Sequence, residues 1–257
     1  MRQRVLASCV LPLLFGGLGA PNSSAADLDS ILDRNDEAHG GTAYARIESI
    51  RVELLISNPA AEVRGTYLAT REGLMRIDFY AGAQRIFAEG VSNECAWSWN
   101  RNPPAGVRGG CVGEAEAAAL RHGVELPGLF YTLKDVQDRG AMIQLIGPVG
   151  SESGPEWQLR LTLEDGFSRD YFIDQETNRI TRARDFRAFQ PALDPAEVLI
   201  ETRFEAPEWF DGVLRFERQV NVNVNTGEIL GTTTVLDLEF NPEVTEESFE
   251  APAIAGS

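Results

Sequence analysis

The side chains that most often carry catalysis are few in this chain and badly spaced for it. There are two histidines. His39 stands before Gly40-Gly41 and His122 before Gly123, so each falls at a helix end, where an imidazole favours the helix dipole. A Ser-His-Asp or Cys-His mechanism needs one of them beside a nucleophile, and nothing in the spacing provides that. No Gly-x-Ser-x-Gly elbow, Walker loop, dinucleotide fingerprint or His-Glu-x-x-His motif occurs. Acids abound, as in Glu246-Glu247 and Glu114 with Glu116. A carboxylate pair works only when its members converge across a cleft with separated pKa values, so solvated surface is the default. The chain reads as a non-enzyme with no catalytic residue, no metal and no cofactor.

The chemistry of binding is more legible. Met75, Ile77 and Phe79 alternate with Arg76 and Asp78, the pattern of a strand with one wet and one buried face. Trp97 and Trp99 share one face of a later strand, with Cys95 on that face too. Ordinary core packing explains these five side chains. The functional alternative is that they line an apolar cavity left by a curled sheet. An acyl chain entering such a cavity would gain about 0.8 kcal/mol per buried methylene.

The elements that must position them follow from the periodicity. Leu28, Ile31, Leu32 and Ala38 recur at helical spacing, with Gly40-Gly41 as the stop. Period-two segments then run with few interruptions: Ile50 to Ile56, Val63 to Thr70, Leu74 to Tyr80, Arg85 to Glu89 and Cys95 to Trp99. A non-strand insert follows, with Pro103-Pro104 in a loop, an alanine-rich helix from Glu114 to Arg121, a Pro127-Gly128 break and a helical turn over Leu129 to Lys134. Strands resume at Met142 to Ile146, Trp157 to Leu163, Tyr171 to Asp174, Arg179 to Phe186, Val198 to Phe204, Val213 to Asn223 and Ile229 to Phe240. Turns such as Glu164-Asp165-Gly166 and Asp211-Gly212 make consecutive strands antiparallel neighbours. A meander of about a dozen strands curls or closes rather than staying flat. The expected fold is therefore mainly β with a few helices (α+β), a curled antiparallel sheet or incomplete barrel with helices across its concave face. The first helix, through Leu28, Ile31 and Leu32, and the Leu129-Phe130 segment are candidate lids.

The chain's start sets the compartment. Met1-Arg2-Gln3-Arg4 leads into the apolar run Val5 to Phe15 and a small-residue stretch ending at Ala25-Ala26, the layout of a secretory signal peptide cleaved near Ala25 or Ala26. Leu6-Ala7-Ser8-Cys9 resembles a lipobox, but most of the apolar run follows Cys9 instead of preceding it. With Cys9 in the leader, Cys95 and Cys111 form an even pair, which bridges in an oxidising compartment. Closing their loop of about 15 residues is worth on the order of 3 kcal/mol in the chain-entropy model. The formal charge of −16 argues strongly against nucleic acid or an anionic bilayer surface as the partner, since both are bound through Lys and Arg clusters. Residues 27–257 suffice for one domain.

Taken in order, certain pieces resemble a known family. They are Ala38-His39-Gly40-Gly41 before Ile47-Glu48-Ser49-Ile50, Asp165-Gly166 before Tyr171-Phe172-Ile173-Asp174, Trp209-Phe210-Asp211-Gly212-Val213, and Phe240-Asn241-Pro242 before Phe249 and Pro252. Their succession resembles outer-membrane lipoprotein-sorting-protein-like periplasmic proteins across most of residues 27–257; the Cys95 to Cys111 loop lies outside the pattern. The resemblance implies an incomplete antiparallel barrel closed by helices around an apolar cavity. It implies a periplasmic carrier for a lipid, a lipidated protein or another hydrophobic ligand. The alternative is an envelope interaction module of the same fold, a regulator or exporter accessory subunit, whose partner is an inner- or outer-membrane envelope protein.

Overall fold

The computed structural model describes residues 27–59, 61–103, 109–152, 154–190 and 194–253. The leader expected over residues 1–26, with Cys9 and the cleavage positions, lies outside them, as does Pro104 of the expected proline loop. Helix α1 (Leu28–His39) and a 3-10 turn (Gly41–Arg46) come first. Strands β1 (Ser49–Ser57), β2 (Glu62–Thr70), β3 (Met75–Ala81), β4 (Gln84–Val91), β5 (Ala96–Asn100) and β6 (Gly109–Cys111) follow. Helices α2 (Glu114–Glu125) and α3 (Leu133–Asp138) lead into β7 (Met142–Ser151), β8 (Gly154–Thr162), β9 (Ser168–Asp174), β10 (Ile180–Gln190), β11 (Asp194–Phe210), β12 (Val213–Asn223) and β13 (Ile229–Phe240). A short 3-10 turn, Glu246–Phe249, ends the order.

All thirteen strands form one antiparallel sheet in the order β6-β5-β4-β3-β2-β1-β13-β12-β11-β10-β9-β8-β7. Each half is a hairpin meander, and the pairing of β1 with β13 joins them. Among the described residues the ends β6 and β7 do not pair, so the sheet is curled and open, as the alternating pattern predicts. Register shifts at Glu53/Leu54, Phe79/Tyr80 and Leu145/Gly147 mark bulges, which increase the local twist of a ribbon. Strand β6 was not foreseen: Gly109-Gly110 carries no alternation, and the Cys95–Cys111 disulfide, with Cα atoms 5.8 Å apart, holds it beside β5. The turn expected over Leu129 to Lys134 is displaced. Its first residues are loop, and α3 begins at Leu133 because Thr132 caps it, the hydroxyl accepting from the Asp135 N–H while the Asp135 carboxylate accepts from the Thr132 N–H.

The core lies between the concave face of the sheet and the helices. Ile31, Leu32, Phe130 and Leu133 meet Ile50, Ala69, Met75, Leu159 and Tyr171 there, all nearly inaccessible to water. Burying an aliphatic side chain of this kind contributes roughly 1.5–3 kcal/mol. α1 ends because Gly40 turns left-handed at φ 119°, with its N–H donating to the carbonyls of Asp36 and Glu37.

Sequence pieces far apart meet at this end of the molecule. The Asn241 side chain accepts from the N–H groups of Glu48 and Ser49 and donates to the Arg46 carbonyl, fixing the exit of β13 against the entry of β1. Arg71, between β2 and β3, donates to the Ile47 and Tyr44 carbonyls, and its own carbonyl accepts from the Tyr131 hydroxyl at 2.8 Å.

Candidate functional site

Strand register decides which side chains share a face. Met75 stands opposite Val91, and Val91 opposite Ala96; Ile77 stands opposite Glu89, and Glu89 opposite Ser98. These rows face the helices. The next row outward carries Phe79 and Phe87, whose rings lie 5.8 Å apart, with Gly65 beside them on β2. Accessibility rises along the wall: Met75 is buried in the core, whereas Leu54, Tyr67, Ile77, Phe79 and Phe87 remain half-buried. The helices cover the first row and leave the later rows partly open.

Trp97 and Trp99 are not on this wall. Arg76 pairs with Gly90 and Gly90 with Trp97, while Ala88 pairs with Trp99, so both indoles project from the convex side. The Trp97 indole N–H donates to the Phe249 carbonyl at 2.8 Å, its ring lies across Gly90, and Arg76 sits 5.7 Å from the ring centroid. The expectation that five residues line one cavity is thus corrected: three share the concave wall, Trp97 packs beneath the C-terminal 3-10 turn, and Trp99 lies against Gly109 on the same convex side. Alternation fixes which side chains of one strand share a face. The register between β4 and β5 was not readable, and a one-residue shift reverses the face of a whole strand.

The candidate lids are anchored. Ile31, Leu32 and Phe130 are fully buried, and Leu28 and Leu129 pack at the margin of the core. α1 is tied to the sheet through His39, whose Nδ1–H donates to the Asn35 carbonyl at 2.8 Å while Nε2 accepts from the Ile180 N–H at 3.4 Å. Burial pushes the His39 pKa down, so the ring is the neutral tautomer and not the dipole-compensating cation that its helix-end position suggested. The Gly128-Leu129 carbonyls accept from Arg215, whose guanidinium also lies 5.1 Å from the Tyr44 ring and 4.9 Å from the Phe240 ring. α2 packs on β4 and β5 and reaches across the mouth of the sheet, where His122 donates to the Asp165 carboxylate at 2.7 Å and stacks 4.3 Å from the Phe167 ring. The Phe167 N–H first, and His122 second, hold the Asp165 carboxyl below its usual range.

Two polar groups on the wall are unusual. The Tyr67 hydroxyl, on the row of Ile77, is buried without a hydrogen-bond partner among the described residues, and burial drives its pKa up. On the same row burial, and then Glu116 of α2, push the Glu89 carboxyl up to about 7. Among the described residues no group of three or more His, Cys, Asp or Glu side chains is arranged to hold a metal ion, and no helix is long and apolar enough to cross a membrane.

No family model matches the chain, and no curated protein sequence does. Solved structures do. A LolA superfamily protein from Nitrosomonas europaea superposes with a TM-score of 0.55 at 15% identity, covering 88% of this chain and 99% of its own. A DUF1329 family protein from Desulfovibrio piger gives 0.51 at 13% identity over 86% of this chain and 96% of its own. An outer-membrane lipoprotein-sorting protein domain from Vibrio parahaemolyticus gives 0.51 at 14% identity over 86% and 94%. At such identities the likeness is one of architecture. With its open, curled antiparallel sheet and helices seated on the concave face, this chain has the LolA-like fold.

Proposed function

We propose that the chain is exported through a leader cleaved near Ala25 or Ala26. On this reading residues 27–257 form one periplasmic domain that binds or carries a lipid, an acyl chain or another hydrophobic ligand without catalysing a reaction. The observation that carries this reading is the graded concave wall. A sheet whose helices merely completed its core would bury Ile77, Phe79 and Phe87 as fully as Met75, yet these rows stay half-covered and include a buried hydroxyl with no partner among the described residues. Apolar surface held open inside a curled sheet is what an acyl chain would complete. The Cys95–Cys111 bridge fits an oxidising compartment.

Placing a charge on the wall tests this. Ile77→Asp should weaken binding of a fluorescent fatty acid by about tenfold or more, since a buried carboxylate and an apolar chain exclude each other. Phe186→Asp, on the convex side where Phe186 is 61% exposed, should leave binding unchanged. Equal binding by both variants and the parent protein would remove the wall from the account.

A second reading, an envelope interaction module, is favoured by Trp209 at the tip of the β11–β12 hairpin, which is exposed along with Phe210. Capture of an inner- or outer-membrane protein that is lost in Trp209→Ser, from preparations free of bound lipid, would support it over the carrier reading.

A further inference from the structure

On the half of the concave wall opposite Phe79, the apolar rows give way to a compact charged group. Ala183, Asp185 and Arg187 share the inward face of β10, because Ala183 lies in the core and alternation places the other two beside it. The Asp185 side chain is 1% exposed. One of its oxygens accepts from Arg169 on β9 at 2.5 Å, and the other accepts from Arg187 at 3.1 Å. Arg187 also donates to the Asn221 side-chain oxygen, which accepts from the Thr202 hydroxyl. Asn221 stands opposite Gly231, and the end of the Phe189 ring lies where a Cβ on Gly231 would be, so Phe189 reaches across the wall above this group. The buried Tyr171 hydroxyl sits beside Arg169 with no other partner among the described residues.

Two guanidiniums therefore share one carboxylate. Asp185 is the one carboxylate within ion-pair distance of either among the described residues, leaving one net positive charge inside an otherwise acidic protein. A partly buried charge without its counter-ion is costly unless something neutralises it. Arg187 bears that cost. Burial first lowers its pKa, Arg169 adds to the effect, and Asp185 opposes it incompletely. The convex face offers a contrast, because there Arg182 is satisfied by both Glu156 and Glu201 and its pKa is raised. Arg187 also keeps 33% of its side chain accessible on the wall, so an incoming group can reach it.

We infer that the concave wall recognises an amphiphile with an anionic head, seated by Arg187 and Arg169 through charge-assisted hydrogen bonds, while its apolar chain lies along the half-buried rows. This rests on the carrier reading and narrows its ligand class to carboxylate- or phosphate-headed lipids.

The test uses the purified protein with dansylaminoundecanoic acid and its methyl ester, which differ in one charge. The acid should bind about tenfold or more tighter than the ester, the range expected for hydrogen bonds to a charged group. Arg187→Gln should bring the acid to within about twofold of the ester, and Arg187→Lys should restore most of the preference by returning the charge. Displacement of the bound acid by dodecanoate and by lysophosphatidylglycerol assigns the head as carboxylate or phosphodiester. If acid and ester bind equally tightly, the anionic-head assignment falls and the carrier reading survives. If neither binds, the carrier reading falls and takes the assignment with it.

Discussion

Gly40 and Gly212 are packed backbone to backbone. A Cβ on Gly40 would stand inside contact distance of the Gly212 carbonyl oxygen and 3.1 Å from the Val213 Cα. The end of α1 is thereby seated on the β11–β12 turn with no room for a side chain, at a residue whose φ of 119° already disfavours one. Gly40→Ala should cost about 2–4 kcal/mol in urea unfolding, combining positive φ with overpacking. Gly73→Ala, at φ 100° with open space around it, should cost only about 1 kcal/mol. Equal losses would mean that the close approach does not hold α1 in place.

That contact shows what was readable before the structure. His39-Gly40-Gly41 and Asp211-Gly212-Val213 stood out as separate turn signals, and nothing in either says that they touch; their meeting is set by the β1–β13 pairing that folds the chain back on itself. Alternation placed Met75, Ile77 and Phe79 on one face, because a half-buried strand needs no long-range information. The tryptophans were misplaced because their face depends on the register between β4 and β5. The group at Asp185 was invisible. Asp185 and Arg187 flank the apolar Phe186, so alternation alone would turn Phe186 inward and the charges outward, and Arg169 lies between the equally polar Ser168 and Asp170.

Glu89 makes stability depend on pH. Its carboxyl is raised to about 7 in the folded protein by burial first and Glu116 second. A raised acid contributes nothing unfavourable below its unfolded pKa and costs stability progressively as pH climbs from about 4.5 through 7. Glu89→Gln should remove that loss, raising stability at pH 8 by up to about 3 kcal/mol and leaving it nearly unchanged at pH 4. The check is a set of urea titrations across that range. A constant difference at all pH values would contradict the assignment.

His39 acts in the opposite window. Its pKa is lowered by burial, so the unfolded chain takes up a proton first as pH falls below about 6.5, and stability drops from there. His39→Gln, which keeps a donor and an acceptor, should flatten this acid limb while costing about 1 kcal/mol at pH 8 for the altered hydrogen bonds to Asn35 and Ile180. An acid limb unchanged in the variant would show that the proton goes elsewhere.

Reducing the Cys95–Cys111 bridge, or replacing both cysteines by serine, should lower stability by about 3 kcal/mol. β6 is three residues long and pairs with β5 alone, so hydrogen exchange in Gly109–Cys111 should accelerate far more than in β3. Uniform acceleration would mean that the bridge supports the whole sheet and not this edge.

The most direct measurement is mass spectrometry of an organic extract from the protein purified out of the cell envelope that produces it. A guest on the concave wall predicts a co-purified lipid in near-stoichiometric amount that is depleted in Ile77→Asp and retained in Phe186→Asp. Extracts free of lipid from a folded protein, or the same lipid content in both variants, would contradict it.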